Sequence, residues 1–145
     1  MITEKWFNGN ENNLKDVTFI RTEVFIKEQK IDEIEEFDGT DQKYNSKILV
    51  LYNDNKPFAT GRLIEIGEKL FIGRVAILKE YRGLNYGIIL LEKLIEKAKT
   101  EFNHKEIFIH AQSYTKAFYE KVGFISFGEE FLEANIPHLH MKINL

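Results

Sequence analysis

The pattern of apolar and polar positions in the first third of the chain predicts a strand followed by a helix. Residues 2–7 form a short extended run that ends at an Asn-Gly-Asn turn. Beyond it, apolar residues recur at spacings of three, three and four, which is one face of a helix with 3.6 residues per turn. This helix runs toward Gln29, with Asn12 or Asn13 as its expected cap. Its apolar face consists of Leu14, Val17, Ile20 and Val24.

Three apolar runs in the middle of the chain predict an antiparallel meander. They span residues 48–52, 58–66 and 70–78, and short turns rich in Asn, Asp and Gly join them. Connections this short favour hairpins between neighbouring strands. The acidic segment before them, residues 32–41, has two interpretations. One is a solvated surface loop, and the other is a loop beside the substrate that attracts an amine.

A long helix follows Gly87, because apolar residues then return with helical spacing over four turns. Its predicted buried face consists of Ile88, Leu91, Leu94, Ile95, Ala98 and Phe102. The strand at 106–110 comes straight after this helix, so it should pair in parallel with strand 70–78. Ser113 is expected to cap a short helix over residues 114–122, which Gly123 ends.

Two further strands are predicted at residues 124–129 and 138–143, with a loop over 133–137 between them. The order is therefore β-α-βββ-α-β-α-ββ. It indicates an α/β (α+β) fold with a mixed, mostly antiparallel central sheet.

Composition and charge narrow the class of protein. The 145 residues are 43% hydrophobic and 30% charged, which suits a single globular domain over residues 1–145. A net charge of −3 argues against nucleic acid as a partner. The absence of Cys excludes disulfides and thiol nucleophiles and fits a cytoplasmic protein. The longest apolar run, residues 88–91, is far short of the ~20 residues needed to cross a bilayer.

The turn at residues 82–87, Arg-Gly-Leu-Asn-Tyr-Gly, lies between strand 70–78 and the long helix. The first N–H groups of a helix lack intrahelical partners and carry partial positive charge, so this arrangement can bind an anion. Gly83 and Gly87 allow close backbone approach, and Asn85 tolerates a left-handed conformation. The turn matches neither the Walker pattern nor Gly-x-Gly-x-x-Gly. Taken alone, a plain strand–helix connection explains it as well.

A second motif, Ala117-Phe-Tyr-Glu-Lys-Val-Gly-Phe124, fits a short amphipathic helix with a glycine stop. Together with Glu80-Tyr-Arg-Gly-Leu-Asn-Tyr-Gly87 it resembles the GCN5-related N-acetyltransferase (GNAT) superfamily. The first stretch resembles the cofactor motif Arg/Gln-x-x-Gly-x-Gly/Ala, with Asn85 in place of the middle glycine. The second resembles the Phe-Tyr-x-Lys-x-Gly-Phe signature. A narrower resemblance, to the ElaA/YjcF-type branch, lies in Val24–Gln29, Glu36–Asp38 and Ile136–Met141.

The resemblance implies acetyl-CoA as co-substrate and a site for each part of it. The pyrophosphate would lie on the N–H groups of residues 83–88. The pantetheine arm would pair with a strand that splays from its parallel neighbour, and an N–H near Ile77 would polarise the acetyl carbonyl. The implied strand residues are Val75, Ala76 and Ile77, and those of the turn are Arg82, Gly83, Leu84, Asn85, Tyr86, Gly87 and Ile88.

The resemblance also implies direct attack of an amine on the thioester, with Tyr119 as the acid that protonates the CoA thiolate. The general base stays open among Glu28, His110 and His138. Glu28, Gln29 and His138 are the expected substrate contacts. For Gln29 and Gln112 the default is a buried amide that bonds within the protein, and the alternative is a contact with substrate or pantetheine. His138 and His140 share one face of a strand, but no third ligand is apparent, so no metal is expected.

Two main functions remain open at this point, and both require CoA binding. One is an acetyl-CoA-dependent N-acetyltransferase that acts on a primary amine of a small molecule or peptide. The other is a non-catalytic acyl-CoA-binding module of the same fold. A CoA-independent interaction domain is a third interpretation. Family members are often homodimers through strands near the C-terminus, and no residue of this sequence decides the oligomeric state.

Overall fold

The computed structural model of the protein describes residues 1–145 and consists of one seven-stranded sheet with helices on both faces. The strands are ordered β1-β2-β3-β4-β5-β7-β6 across the sheet. Their bounds are β1 Ile2–Asn8, β2 Lys47–Asn53, β3 Lys56–Ile66, β4 Lys69–Ile77, β5 Glu106–Gln112, β6 Ile125–Glu133 and β7 Ile136–Asn144.

Five α-helical segments connect or flank these strands. They are α1 Lys15–Arg21, α2 Glu33–Glu36, α3 Thr40–Tyr44, α4 Tyr86–Glu101 and α5 Lys116–Val122. A π-helix over Thr22–Glu28 continues α1 without a break, and short 3₁₀ turns at Lys79–Tyr81 and Ser113–Thr115 precede α4 and α5.

The predicted mixed sheet is confirmed. All neighbouring strands are antiparallel except β4 and β5, which the helical crossover α4 joins in parallel. The parallel pairing is very short: it joins Phe71 to Phe108 and Ile72 to Ile109 and then stops. Because β4 continues to Ile77 and β5 to Gln112, the two strands splay apart and leave a gap between their C-terminal ends.

An irregularity in β4 accompanies the splay. Arg62 pairs with Gly73 and Thr60 pairs with Ala76, so β4 carries one more residue than β3 over this interval. Arg74 lies in the bulge and has a φ of 52°, a left-handed conformation that costs free energy for a residue with a side chain. The bulge bends β4 away from β5 and directs the Arg74 side chain toward the acidic segment.

The apolar core lies on both faces of the sheet. Helices α4 and α5 cover one face, where Leu49, Leu63, Ile72, Ile109 and Phe124 are fully or almost fully buried. The first helix and its π-helical extension cover the other face over β2 and the end of β4. The buried residues of α4 include Leu90, whereas Ile88 is only partly buried. The buried face of α4 is therefore rotated by part of a turn from the predicted face.

Several local predictions were wrong. The first helix begins at Lys15 after an uncapped Leu14, so neither Asn12 nor Asn13 caps it. Ser113 does not cap α5, because its hydroxyl donates instead to Glu130. Strands β6 and β7 are longer than predicted and absorb most of the expected loop over 133–137, leaving a tight turn. These ends depend on tertiary contacts that a periodicity pattern does not contain.

The acidic segment 32–41 is not a solvated loop. It forms α2 and α3, and two of its carboxylates are buried: Glu36 is 3% exposed and Asp41 is 8% exposed. Asp41 accepts hydrogen bonds from Arg21 at 2.6 Å and from Arg62 at 3.1 Å. Glu36 lies 3.0 Å from Nε of Arg74. Three arginines on different elements therefore anchor this segment to the sheet.

The two buried carboxyls titrate in opposite directions. Arg21, Arg62 and the Ser46 hydroxyl together overcome the desolvation of Asp41 and hold its pKa well below the usual range. Burial dominates at Glu36 and raises its pKa to about 7, against the opposing effect of Arg74. Glu36 lacks a hydrogen bond at Oε2, which explains why its charge is poorly compensated.

The raised pKa of Glu36 predicts a specific pH dependence of stability. Between pH 4.5 and 7 the folded protein holds a proton that the unfolded chain has released, so the free energy of unfolding falls as pH rises. The loss is on the order of 3 kcal/mol. Urea unfolding at pH 5, 6 and 7 should show this slope in wild type and in the exposed-site control Glu35→Gln. The slope should be absent in Glu36→Gln. Parallel curves of unfolding free energy against pH for all three proteins would contradict the assignment of this slope to Glu36.

Candidate active site

The turn before α4 presents a row of unpaired backbone donors. No backbone carbonyl accepts from the N–H groups of Gly83, Leu84 or Asn85. The next three N–H groups, of Tyr86, Gly87 and Ile88, belong to the first turn of α4 and have no intrahelical partner. Six consecutive donors therefore converge at the N-terminus of a 16-residue helix. This geometry suits a phosphate group.

The backbone of the turn explains its residue choice. Gly83 has a φ of 76° and Asn85 a φ of 70°, so both occupy the left-handed region. Asn is among the non-glycine residues that enter this region most readily, and Asn85 therefore replaces the middle glycine of the motif without changing the turn. Leu84, between them, is 61% exposed and packs against no core residue.

Gly87 joins the two sequence motifs. A Cβ atom at this position would lie 2.8 Å from Cζ of Phe118 and 3.3 Å from a methyl group of Ile77. The missing side chain thus lets the Phe118 ring pack directly on the first turn of α4. Since Tyr119 follows Phe118 in α5, this contact fixes the position of the tyrosine relative to the turn.

The gap between β4 and β5 exposes backbone groups of β4. The N–H of Leu78 donates to Phe58 on β3 at 2.9 Å. Because strand residues alternate in direction, the N–H and C=O of Ile77 face the other way, into the gap. The Ile77 carbonyl accepts a hydrogen bond from Nε of Arg82 at 2.9 Å. Of the three predicted strand residues, Val75 also lines a cleft beside the gap, while the Ala76 side chain is buried toward the first helix.

Arg82 and Glu28 form a two-pronged ion pair. One nitrogen of the Arg82 guanidinium donates to Oε1 of Glu28 at 2.7 Å and the other donates to Oε2. The pair raises the pKa of Arg82 and lowers that of Glu28. Glu28, predicted to contact substrate, thus lies against the turn before α4 and not in the wall of the cleft.

A cleft of about 660 Å³ opens on the side of the sheet beside the gap. Its wall contains residues from the π-helix, the acidic segment, the splayed strands and the β6–β7 turn. Six residues considered from sequence line it: Gln29, Val75, His110, Gln112, Tyr119 and His138. The cleft therefore brings together the expected acid, two of the three candidate bases and the two amides.

Tyr119 is 7% exposed and lies between the Phe118 and Phe124 rings, with ring centroids 5.0 and 5.8 Å away. Burial raises the pKa of its phenol well above the usual range, and Tyr114 adds to the effect. The phenol is therefore protonated at neutral pH, as an acid must be before it acts.

The two predicted amides bond to each other. Nε2 of Gln112 donates to Oε1 of Gln29 at 2.8 Å, and Nε2 of Gln29 lies 3.4 Å from the Tyr114 hydroxyl. This chain ties the end of β5 to the end of the π-helix across the cleft. Gln29 and Gln112 thus satisfy much of their hydrogen bonding within the protein while still lining the cleft.

Glu133 is a cleft residue that sequence reasoning missed. It ends β6, and its Oε1 lies 3.1 Å from Nδ1 of His110 while its Oε2 lies 3.6 Å from Nε2 of His138. One carboxylate therefore joins both histidines that were candidates for the general base. The sequence offered Glu133 only as part of a loop, and nothing in its spacing from His110 indicates the contact. His140 stacks on Phe131 at 4.3 Å between ring centroids and does not line the cleft.

Comparison with known proteins assigns this architecture to a class. The family model described as the acetyltransferase (GNAT) domain matches residues 11–145. The uncharacterized N-acetyltransferase YjcF of Bacillus subtilis (strain 168) is 36% identical over 133 residues, which are 91% of this chain and 93% of that protein.

Two solved structures are similar over almost the whole chain. An acyl-CoA N-acyltransferase from Pseudomonas aeruginosa has a TM-score of 0.84 and 29% identity, covering 97% of this chain and 98% of that one. Escherichia coli ElaA has a TM-score of 0.86 and 24% identity, covering 98% and 99%.

The chain therefore belongs to the GNAT superfamily and is an N-acetyltransferase. Within the superfamily it lies in the YjcF-like branch, which confirms the narrower resemblance found in the sequence, and ElaA shares its fold. None of the helices combines the length and apolar character required to cross a membrane. The structure contains no group of three or more His, Asp and Glu side chains arranged to hold a metal ion.

The close contact between Gly87 and Phe118 predicts the effect of a single methyl group. Gly87→Ala should lower the free energy of unfolding by about 1–3 kcal/mol, because the new Cβ overlaps the Phe118 ring. Adding Phe118→Leu should recover part of this loss, so a double-mutant cycle should show coupling of at least ~0.5 kcal/mol. Urea unfolding of the wild type, the two single variants and the double variant measures this coupling energy. Additive effects would show that the two motifs are not in contact.

Proposed function

We propose that the protein transfers the acetyl group of acetyl-CoA directly to a primary amine of a small molecule or peptide. One observation carries the proposal: the gap between β4 and β5 opens beside the row of donors at the start of α4. The gap suits the pantetheine arm and the donors suit the pyrophosphate, so both parts of CoA have adjoining sites. The membership of the GNAT superfamily and the acyl-CoA N-acyltransferase of similar fold support acyl-CoA as the donor.

The backbone of β4 would hold the arm and polarise the thioester. Pantetheine contains two amides, which can pair with backbone groups of Val75 and Ile77 as an added strand does. The acetyl carbonyl then lies near the N–H of Ile77, which would stabilise the oxyanion of the tetrahedral intermediate. Arg82 would add a charged donor to the phosphate, once CoA replaces Glu28 as its partner.

Tyr119 would give its proton to the CoA thiolate as the C–S bond breaks. The raised pKa of this phenol makes it a weak acid toward a thiolate in water. The thiolate would form in the same buried surroundings, however, and burial raises its proton affinity as well. The two changes act in the same direction, so the raised pKa of Tyr119 does not by itself exclude the transfer.

The charge of the cleft favours a cationic acceptor. Its wall contains four carboxyl groups, of Glu35, Glu36, Asp38 and Glu133, against the two guanidinium groups of Arg62 and Arg74. Glu36 is partly neutral near pH 7, and the remaining carboxylates still outnumber the arginines. An amine enters such a cleft as its ammonium ion and must lose a proton there.

Isothermal titration tests the cofactor assignment. CoA should bind to the wild-type protein. Its affinity should fall as the salt concentration is raised from about 50 to about 300 mM, because phosphate contacts dominate and salt screens them. Arg82→Gln should weaken CoA binding about 10-fold, since one charge-assisted contact is lost. Lys79→Gln, on the same segment, serves as the control for net charge. Absence of CoA binding, or equal affinity in all three proteins, would remove the site from this turn.

The role of Tyr119 is tested by removing only its hydroxyl. Tyr119→Phe should lower kcat by ~10²-fold, the usual scale for a general acid, and leave the Kd for CoA unchanged. Free-thiol release from acetyl-CoA, assayed with a panel of primary amines, provides the rate. Wild-type turnover in the variant would mean that water protonates the thiolate. CoA binding without any amine-dependent release would identify a binding module and not an enzyme that uses these amines.

A further inference from the structure

The wall of the cleft contains two hydrogen-bond acceptors that face each other. The His138 side chain is 7% exposed, and its Nδ1 lies 2.6 Å from the carbonyl oxygen of Ile136. A carbonyl oxygen only accepts, so Nδ1 carries the hydrogen, and in the neutral imidazole Nε2 then holds the lone pair. That lone pair lies 3.6 Å from Oε2 of Glu133, too far for a hydrogen bond between them.

Glu133 is held as an anion in this arrangement. Its other oxygen accepts a hydrogen bond from Nδ1 of His110, which lowers the pKa of Glu133 in spite of its partial burial. An ionised carboxylate offers only lone pairs. Two acceptors therefore lie side by side in the wall of the cleft, and a group with several N–H donors and a positive charge would satisfy both.

We propose that this pair is the acceptor subsite: the ammonium group of the substrate binds between Oε2 of Glu133 and Nε2 of His138, and His138 is the general base. The inference rests on the proposed function and names the group that receives the amine. A primary ammonium has three N–H donors, so it can bond to both atoms and keep one N–H for another contact. Amines without N–H groups, such as quaternary ammonium ions, are not expected to bind there.

The register of the sheet places this pair beside the reaction centre. His138 on β7 pairs with Gln112, the last residue of β5, at the edge of the gap that would hold pantetheine. Tyr119 lines the same cleft. The base and the acid would therefore lie in one cleft beside the thioester, as direct transfer requires.

The proton balance of the transfer is complete with these groups. His138 takes one proton from the ammonium, and the free amine forms the C–N bond to the acetyl carbon. The C–S bond then breaks, and the thiolate takes the proton of Tyr119. The nitrogen loses its second proton, which restores Tyr119, while the proton on His138 passes to solvent. The products are the acetylamide, CoA as the thiol, and one proton.

Glu133→Gln tests the ammonium contact, because the amide keeps the shape and removes the charge. The matched control is Glu129→Gln on the same strand, an exposed residue with no side-chain hydrogen bond. With the best substrate among spermidine, phenethylamine and lysine amide, Glu133→Gln should raise the KM for amine about 10-fold or more. The Kd for CoA should not change. Equal KM values in the two variants would overturn the subsite.

Chemical rescue tests His138. His138→Gly should lower kcat by ~10² to 10⁴-fold, the usual contribution of a general base, and added imidazole should restore part of the rate. Thermal unfolding and CoA titration confirm that the variant is folded. A folded variant with wild-type kcat, or one that imidazole does not restore, would overturn the assignment of His138 as base.

Binding of n-butylammonium to the CoA-saturated protein, followed by NMR, covers the case in which no tested amine is acetylated. The wild type should bind this probe, Glu133→Gln should bind it at least ~10-fold more weakly, and butyltrimethylammonium should not compete. CoA binding without probe binding overturns the subsite and leaves the cofactor assignment intact. Absence of CoA binding overturns the proposed function and this inference with it.

Discussion

The site depends on the point at which β4 and β5 stop pairing. Two residue pairs hold the strands in parallel, and the helical crossover between them brings α4 back over the sheet. Past Ile72 the backbone groups of β4 that face β5 have no strand partner, an arrangement that costs free energy unless water, a side chain or a ligand satisfies them. Arg82 meets part of this requirement by donating to Ile77. The bulge at Arg74 lies where β4 leaves β5, and the Arg74 side chain contacts the Glu36 carboxylate and backbone carbonyls of the acidic segment.

The buried charges and the active-site cleft are therefore parts of one arrangement. Asp41 binds Arg21 of the first helix and Arg62 of β3, so it fixes the acidic segment over the middle of the sheet. Glu36, in the same segment, approaches the bulge residue Arg74, and both line the cleft. Buried ion pairs of this kind add little net stability compared with apolar packing, because each charge loses its hydration. Here these ion pairs fix the positions of the acidic segment and of Arg74. They hold in place the wall against which an acceptor would lie, and they support the bulge beside the gap.

The sequence predicts the sheet well because its elements repeat with clear periods and its connections are short. It also predicts the turn at residues 82–87, where Gly83 and Asn85 have the left-handed backbone that their residue types favour. It does not predict the burial of Glu36 and Asp41, since three arginines distant in sequence are needed to make acidic residues stable inside. Glu133 is missed for the same reason. Its partner His110 lies 23 residues earlier on a strand that is not its neighbour in the sheet, and a local pattern contains no trace of that contact.

The same long-range pairing connects the gap between β4 and β5 with the part of the cleft around His138. Strand β5 borders the gap on one side and pairs with β7 on the other, so the residue that ends β5 is the neighbour of His138. The chain of Gln112, Gln29 and Tyr114 continues from that point to the π-helix, whose last residue, Glu28, binds Arg82 of the turn before α4. A phosphate that displaces Glu28 from Arg82 would free the end of the helix that supports Gln29. Because Gln29 bonds to Gln112 beside His138, a ligand at Arg82 and a ligand at His138 would be linked through these contacts, and such a coupling acts equally in both directions.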